Sequence, residues 1–135
     1  MKPQRDVSSA EEPREGSLRP RVLIVDDDLD ILKMLKSYLG AKGFDVITTD
    51  SPFSVLELLR EHTPDVVVLD LMIPGLDGKA LSGFVRTHSK AAIVFFTASS
   101  SDAIDALRNE DRDVTVVAKG GSLSALGSAI SAAIR

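Results

Sequence analysis

The chain has 135 residues, 44% hydrophobic and 27% charged, the size and mix of one globular domain with room for a core. It has no cysteine, which excludes disulfides, thiolate metal sites and cysteine catalysis and leaves oxygen ligands for any metal ion. The net charge is -4, with neither a Lys/Arg cluster nor interleaved aromatics, which argues against direct nucleic-acid binding; no apolar run is long enough for a membrane span or a secretory leader, so a cytoplasmic protein is expected.

Residues 1–20 carry Pro3, Pro13, Pro20, Gly16 and alternating charges without periodicity. Such a stretch buries too little apolar surface to offset its ordering entropy, so it is expected to be a disordered tail ahead of a domain spanning 21–135. From Arg21 onward, short apolar runs alternate with segments of helical period, the pattern of a parallel sheet wrapped by helices. The expected strands are 21–25, 44–48, 65–69, 92–96 and 114–118. Three are almost continuously apolar, as strands buried on both faces should be. Helical spacing shows in Ile31, Leu35, Tyr38 and Leu39, and again in Leu123, Leu126, Ile130, Ala133 and Ile134. Ser51 before Pro52 predicts a helix cap with proline at the first position, and Ser101 and Ser122 are expected to cap the fourth and fifth helices. His62 and His88 are expected to end the second and third helices, where positive charge suits the dipole. Five βα units with right-handed crossovers favour the flavodoxin-like α/β sandwich, with strand order 2-1-3-4-5.

In such a sheet the ligand site lies beyond the carboxyl ends of the strands. At that edge stand Asp26, Asp27 and Asp28 after the first strand, Asp70 after the third, Thr97 after the fourth and Lys119 after the fifth. Singly, each has a bland reading: the acidic trio caps a helix, with Asp28 the cap, Asp70 sits in a Pro-Gly turn, Thr97 packs, and Lys119 is solvated. Gly75 and Gly78 read as turn glycines. Convergence of four strand ends on one edge is what random polar residues would not give. Several carboxylates gathered there repel one another unless a cation neutralises them, and few oxygen ligands with room for water suit Mg²⁺. Phosphoryl chemistry follows, with Asp70 as nucleophile, Thr97 as a hydroxyl donor and Lys119 as a point charge for the phosphoryl oxygens.

The runs Val22-Leu-Ile-Val-Asp-Asp-Asp, Val66-Val-Val-Leu-Asp-Leu-Met-Ile-Pro-Gly-Leu-Asp-Gly, Phe96-Thr-Ala and Ala118-Lys resemble the response-regulator receiver domain of two-component signalling, over 21–135. The resemblance implies Asp70 as phosphoacceptor, Asp26 and Asp27 as the acidic pair with Asp27 a direct Mg²⁺ ligand, and the Met72 carbonyl as a further ligand. It also implies Thr97 as the switch hydroxyl, Lys119 as the phosphate-contacting lysine, and a histidine kinase or phosphotransfer protein as donor. A phospho-acceptor rather than an enzyme is expected, a monomer or weak dimer that docks a downstream protein through its fourth helix, fifth strand and fifth helix.

The chain departs from the family pattern in three places. Gly120 and Gly121 replace the usual proline after the lysine, which predicts a looser fifth βα loop. Val116 stands where an aromatic is usual. The two positions that tune dephosphorylation in the family are Met72 and Ser99, without carboxylate or amide, so a long-lived phosphoryl state is expected. A phosphorylation-independent interaction module of the same fold is the alternative. A Mg²⁺-dependent phosphohydrolase is disfavoured, because no second acid sits two residues after Asp70. No output domain follows Arg135, so the chain is read either as acting by docking or as a fragment.

Overall fold

In strand β1 (Arg21–Val25) every residue is buried, and alternate side chains serve opposite faces: Val22 and Ile24 enter one hydrophobic cluster, Leu23 and Val25 another. This two-sided burial makes β1 a central strand. The computed structural model describes residues 19–110 and 114–134. After β1 come α1 (Leu29–Ala41), β2 (Asp45–Thr49), a 3₁₀ turn (Pro52–Ser54) leading into α2 (Val55–His62), and β3 (Val66–Leu69). A small antiparallel hairpin, β4 (Met72–Ile73) and β5 (Leu76–Asp77), precedes α3 (Gly78–His88). Strand β6 (Ala92–Thr97), α4 (Ser101–Glu110), β7 (Thr115–Ala118) and α5 (Leu123–Ile134) complete the order.

The main sheet is parallel, in the order β2-β1-β3-β6-β7. With the hairpin set aside, this is the expected order 2-1-3-4-5. One layer of core lies between the sheet and α1 and α5, where Leu32, Leu35, Leu39, Leu126 and Ile130 pack on Val22, Ile24, Val66, Val68, Val94 and Phe96. The other lies under α2, α3 and α4, where Val55, Leu59, Leu81, Val85 and Leu107 meet Leu23, Val25, Val67, Leu69 and Phe95. No helix among the described residues is long and apolar enough to cross a membrane.

Several local expectations are met. Asp28 caps α1 by accepting from Asp30 and Ile31 N–H, Ser51 accepts from Phe53 N–H, and Ser122 accepts from Ala125 N–H. His62 and His88 are the last residues of α2 and α3. Other expectations shift. The cap of α4 is Ser100 rather than Ser101, because the Ser100 hydroxyl accepts from Ala103 N–H at 3.2 Å while Ser101 already belongs to the helix. Strand β2 runs one residue later than expected because Phe44 turns into the core, its N–H closing the end of α1 on Leu39 O. The hairpin was not anticipated; its turn needs Gly75 at φ +79°. Gly78, read as a turn glycine, instead opens α3 against the loop after β3, where a Cβ would lie 2.7 Å from Leu71 Cα and overlap the Asp70 carbonyl oxygen.

Residues 1–18 of the expected tail lie outside the described residues. Arg19 and Pro20 at its end are already tied to the sheet: the Arg19 guanidinium donates to Phe44 O at 3.2 Å, and Pro20 O accepts from Asp45 N–H at 2.8 Å.

Candidate functional site

The parallel register decides where the acidic residues meet. Val25 of β1 pairs with Leu69 of β3, so the next residues, Asp26 and Asp70, leave adjacent strands at the same height on the carboxyl edge. Both are buried, at 2% and 5% exposure, whereas Asp27 is exposed. Oxygens of Asp26, Asp27 and Asp70 all lie within 4.8 Å of one another.

Lys119, immediately after β7, closes the site from the other side. Its Nζ donates to Asp70 Oδ2 at 2.8 Å and pairs with Asp26 Oδ2 at 2.9 Å. Each carboxylate uses its second oxygen to brace its own loop: Asp26 Oδ1 accepts from Asp28 N–H at 3.0 Å and Asp70 Oδ1 from Met72 N–H at 3.1 Å. Despite Gly120 and Gly121, the lysine backbone is held, because Lys119 N–H donates to Thr97 O at 2.9 Å and Gly121 N–H to Ala118 O at 3.2 Å.

Burial pushes the Asp26 carboxyl above its ordinary value, and the hydrogen bonds from Lys119 and Asp28 offset only part of that. For Lys119, burial works to lower the pKa, but hydrogen bonds to Asp70 and Asp26 and their negative charge outweigh it, and the ammonium is held above its usual range. Three carboxylates against one ammonium leave two negative charges, matching one divalent ion, and an all-oxygen donor set suits a hard cation. The residues fit Mg²⁺.

Thr97 is fully buried at the end of β6, but its hydroxyl is not hydrogen-bonded to Asp70. It contacts Ser99 Oγ at 2.9 Å and accepts from Ser99 N–H at 3.1 Å. The sequence places Asp26, Asp27, Asp70, Thr97 and Lys119 on one edge, and the structure brings oxygens of the three aspartates within 4.8 Å of one another and Lys119 onto Asp26 and Asp70. Ser99 as the partner of Thr97 has no sequence signal beyond the run Ser99-Ser100-Ser101 just after the threonine. A hollow of about 370 Å³ opens beside Asp70, lined by Met72, Ala98, Ser99, Ser100 and Ala103. Met72, at its rim, is 70% exposed.

A five-stranded parallel α/β sandwich with this acid-lysine cluster at its carboxyl edge has the architecture of a receiver-type domain. The family model for the response regulator receiver domain matches residues 22–130, and the chain belongs to that family. Relatives include the DNA-binding response regulator MtrA of Mycobacterium tuberculosis, 38% identical over 89 residues, which are 66% of this chain and 39% of MtrA. Another is the transcriptional regulatory protein AfsQ1 of Streptomyces coelicolor, 36% identical over 103 residues, 76% of this chain and 42% of AfsQ1. The chain thus spans about two-fifths of the length of these relatives. Among solved structures, the BeF3-activated receiver domain of Klebsiella pneumoniae RstA superposes with TM-score 0.76 at 27% identity, covering 85% of this chain and 98% of that one. The chemotaxis protein CheY4 of Vibrio cholerae shares the fold, with TM-score 0.75 at 20% identity over 85% of this chain and 98% of that one.

Proposed function

We propose that this receiver domain is a cytoplasmic phospho-accepting switch in which Asp70 takes a phosphoryl group from a histidine kinase or phosphotransfer protein. The observation that carries the reading is the Lys119 ammonium bridging Asp70 and Asp26, with Asp27 alongside. An Asp70 oxygen forms the new bond to phosphorus while the bond to the donor breaks, and Lys119, already within hydrogen-bond reach of that carboxylate, follows the negative charge onto the phosphoryl oxygens. Thr97 supplies a hydroxyl to a second phosphoryl oxygen. Asp26, Asp27 and Asp70, with the Met72 carbonyl, would hold Mg²⁺, Asp27 as a direct ligand. When bound, the ion adds positive charge that stabilises the transferring group.

The phosphorylated state then biases the β6–α4 loop and, through it, a protein-docking face made of α4, β7 and α5. The lack of a Lys/Arg cluster supports a protein as the direct partner of this domain. With Met72 and Ser99 at the two positions that would otherwise orient water, the phosphoryl state is long-lived; rapid loss of label from purified phosphoprotein contradicts this.

Intact mass after incubation with Mg²⁺ and acetyl phosphate tests the proposal. Wild type is expected to gain one phosphoryl group and Asp70→Asn none. No gain by wild type would leave the phosphorylation-independent interaction module as the account.

A further inference from the structure

We infer that Ser99 is a positioning residue that holds the Thr97 hydroxyl hydrogen away from Asp70 at rest, so that an incoming phosphoryl group competes with Ser99 for that hydrogen. The inference deepens the proposed phosphoryl switch and rests on it.

The donor assignment follows from burial. A hydroxyl has one hydrogen and two lone pairs. One Thr97 lone pair is taken by Ser99 N–H, and the remaining contact is with Ser99 Oγ, where either oxygen could donate. Thr97 is 0% exposed and has no other hydrogen-bond partner among the described residues. Its hydrogen would be orphaned in the core unless it goes to Ser99 Oγ, and buried polar hydrogens are rarely left so. Ser99 is half-buried and lines the hollow beside Asp70, so its own hydrogen can reach water.

Release of Thr97 therefore exchanges a neutral acceptor, Ser99 Oγ, for a charged phosphoryl oxygen. Charge-assisted bonds are about twice as strong as neutral ones, so the phosphorylated state wins the exchange. The exchange also moves a loop. Ser99 is followed by Ser100, whose hydroxyl accepts from Ala103 N–H and whose carbonyl accepts from Ile104 N–H to start α4. Letting go of Ser99 frees the residue next to that cap, which links the hydroxyl at Thr97 to the entry of α4.

The test uses beryllofluoride with Mg²⁺ as the phosphoryl mimic, titrated into the protein and followed through the backbone amide signals of Thr97 to Ala103. Ser99→Ala removes the resting acceptor but keeps the backbone N–H, so it is expected to bind the mimic more tightly, by a factor of about 2–10 for one hydrogen bond. Ser99→Thr is expected to restore wild-type affinity, and in a Thr97→Val background Ser99→Ala should change nothing. Unchanged or weaker binding by Ser99→Ala in the wild-type background overturns the inference. A second measurement, a Thr97/Ser99 double-mutant cycle of unfolding without metal or mimic, separates the two layers. Lack of coupling there removes the latch even if Asp70 is phosphorylated. Coupling in a wild type that binds no mimic and gains no phosphoryl mass overturns the switch, while showing that the bond exists.

Discussion

The Lys119 ammonium is shared between Asp70 and Asp26, 2.8 Å from one carboxylate and 2.9 Å from the other, so that β7 is bonded through a side chain to the ends of β3 and β1. The lysine thereby offsets repulsion between two buried acids in the resting domain and, in the proposed transfer, would meet the arriving phosphoryl charge.

Lys119→Met is expected to leave those acids without their cation and to lower stability by about 1–3 kcal/mol at neutral pH. Protonation of Asp26, whose carboxyl burial holds above its ordinary value, relieves the repulsion, so the deficit should shrink as the pH is lowered. Urea denaturation of both proteins in chelator, at pH 7 and pH 4.5, measures this. A deficit of equal size at both values would point to lost packing instead of lost charge.

Mg²⁺ should stabilise the wild-type domain by about 2.7 kcal/mol when supplied at a hundred times its dissociation constant, because an ion that binds only the folded state adds its binding free energy to folding. Asp27 is exposed, so Asp27→Asn should fold normally and lose most of this increment. Thermal melts with Mg²⁺ and with chelator decide it, and an Asn variant stabilised as much as wild type would remove Asp27 from the ligand set.

The raised pKa of Asp26 has a definite sign in stability. Between the unfolded carboxyl value, about 3.9, and the higher folded value, the folded chain holds a proton that the unfolded chain has released. Stability contributed at this position therefore falls as pH rises through that window and is level above it. Relative to Asp26→Asn, metal-free wild type should be most favoured near pH 4 and lose ground towards neutrality. Lys119 acts at the other end: its raised value contributes stability below the unfolded lysine pKa, about 10.4, that disappears as pH climbs through the folded one.

Gly78→Ala should cost about 1–3 kcal/mol and slow phosphoryl uptake, since its methyl would press on Leu71 Cα and the Asp70 carbonyl oxygen. Gly75→Ala, at φ +79° with open space around it, should cost about 1 kcal/mol through backbone strain while leaving the uptake rate near wild type. Equal effects of the two on uptake would mean that the Gly78 contact does not position Asp70.

The sheet was legible because its central strands are buried on both faces: runs such as residues 22–25 and Val66–Leu69 admit no solvent side and so read as central strands. The polar residue that ends each of the β1, β3, β6 and β7 runs marked the site, since a polar group at four strand ends of one sheet edge breaks the apolar pattern even where, as at Asp26, Asp70 and Thr97, it is buried. Contacts made by hydroxyls and backbone were not legible. Ser100 and Ser101 are chemically equal as caps, and only the start of α4 separates them. Nor does any spacing rule say that Thr97 turns to Ser99 rather than to Asp70, since one lies two residues along the chain and the other follows the neighbouring strand β3. The hairpin after Asp70 escaped because two-residue strands carry no periodicity to read.

Register has a consequence for how the domain can fail. Asp26 and Asp70 are neighbours only because Val25 stands opposite Leu69, and a slip of β3 by one residue would carry Asp70 about 3.3 Å along the strand while turning Val66 and Val68 to the wrong face. Misaligned chains therefore lose the carboxylate pair, while Val66 and Val68 trade faces with Val67 and Leu69 and disturb the packing of both core layers. Under the proposed phosphoryl transfer, uptake would serve as a proofreading readout: a chain that accepts the group has its central strands in frame, and a misthreaded one is silent to its donor.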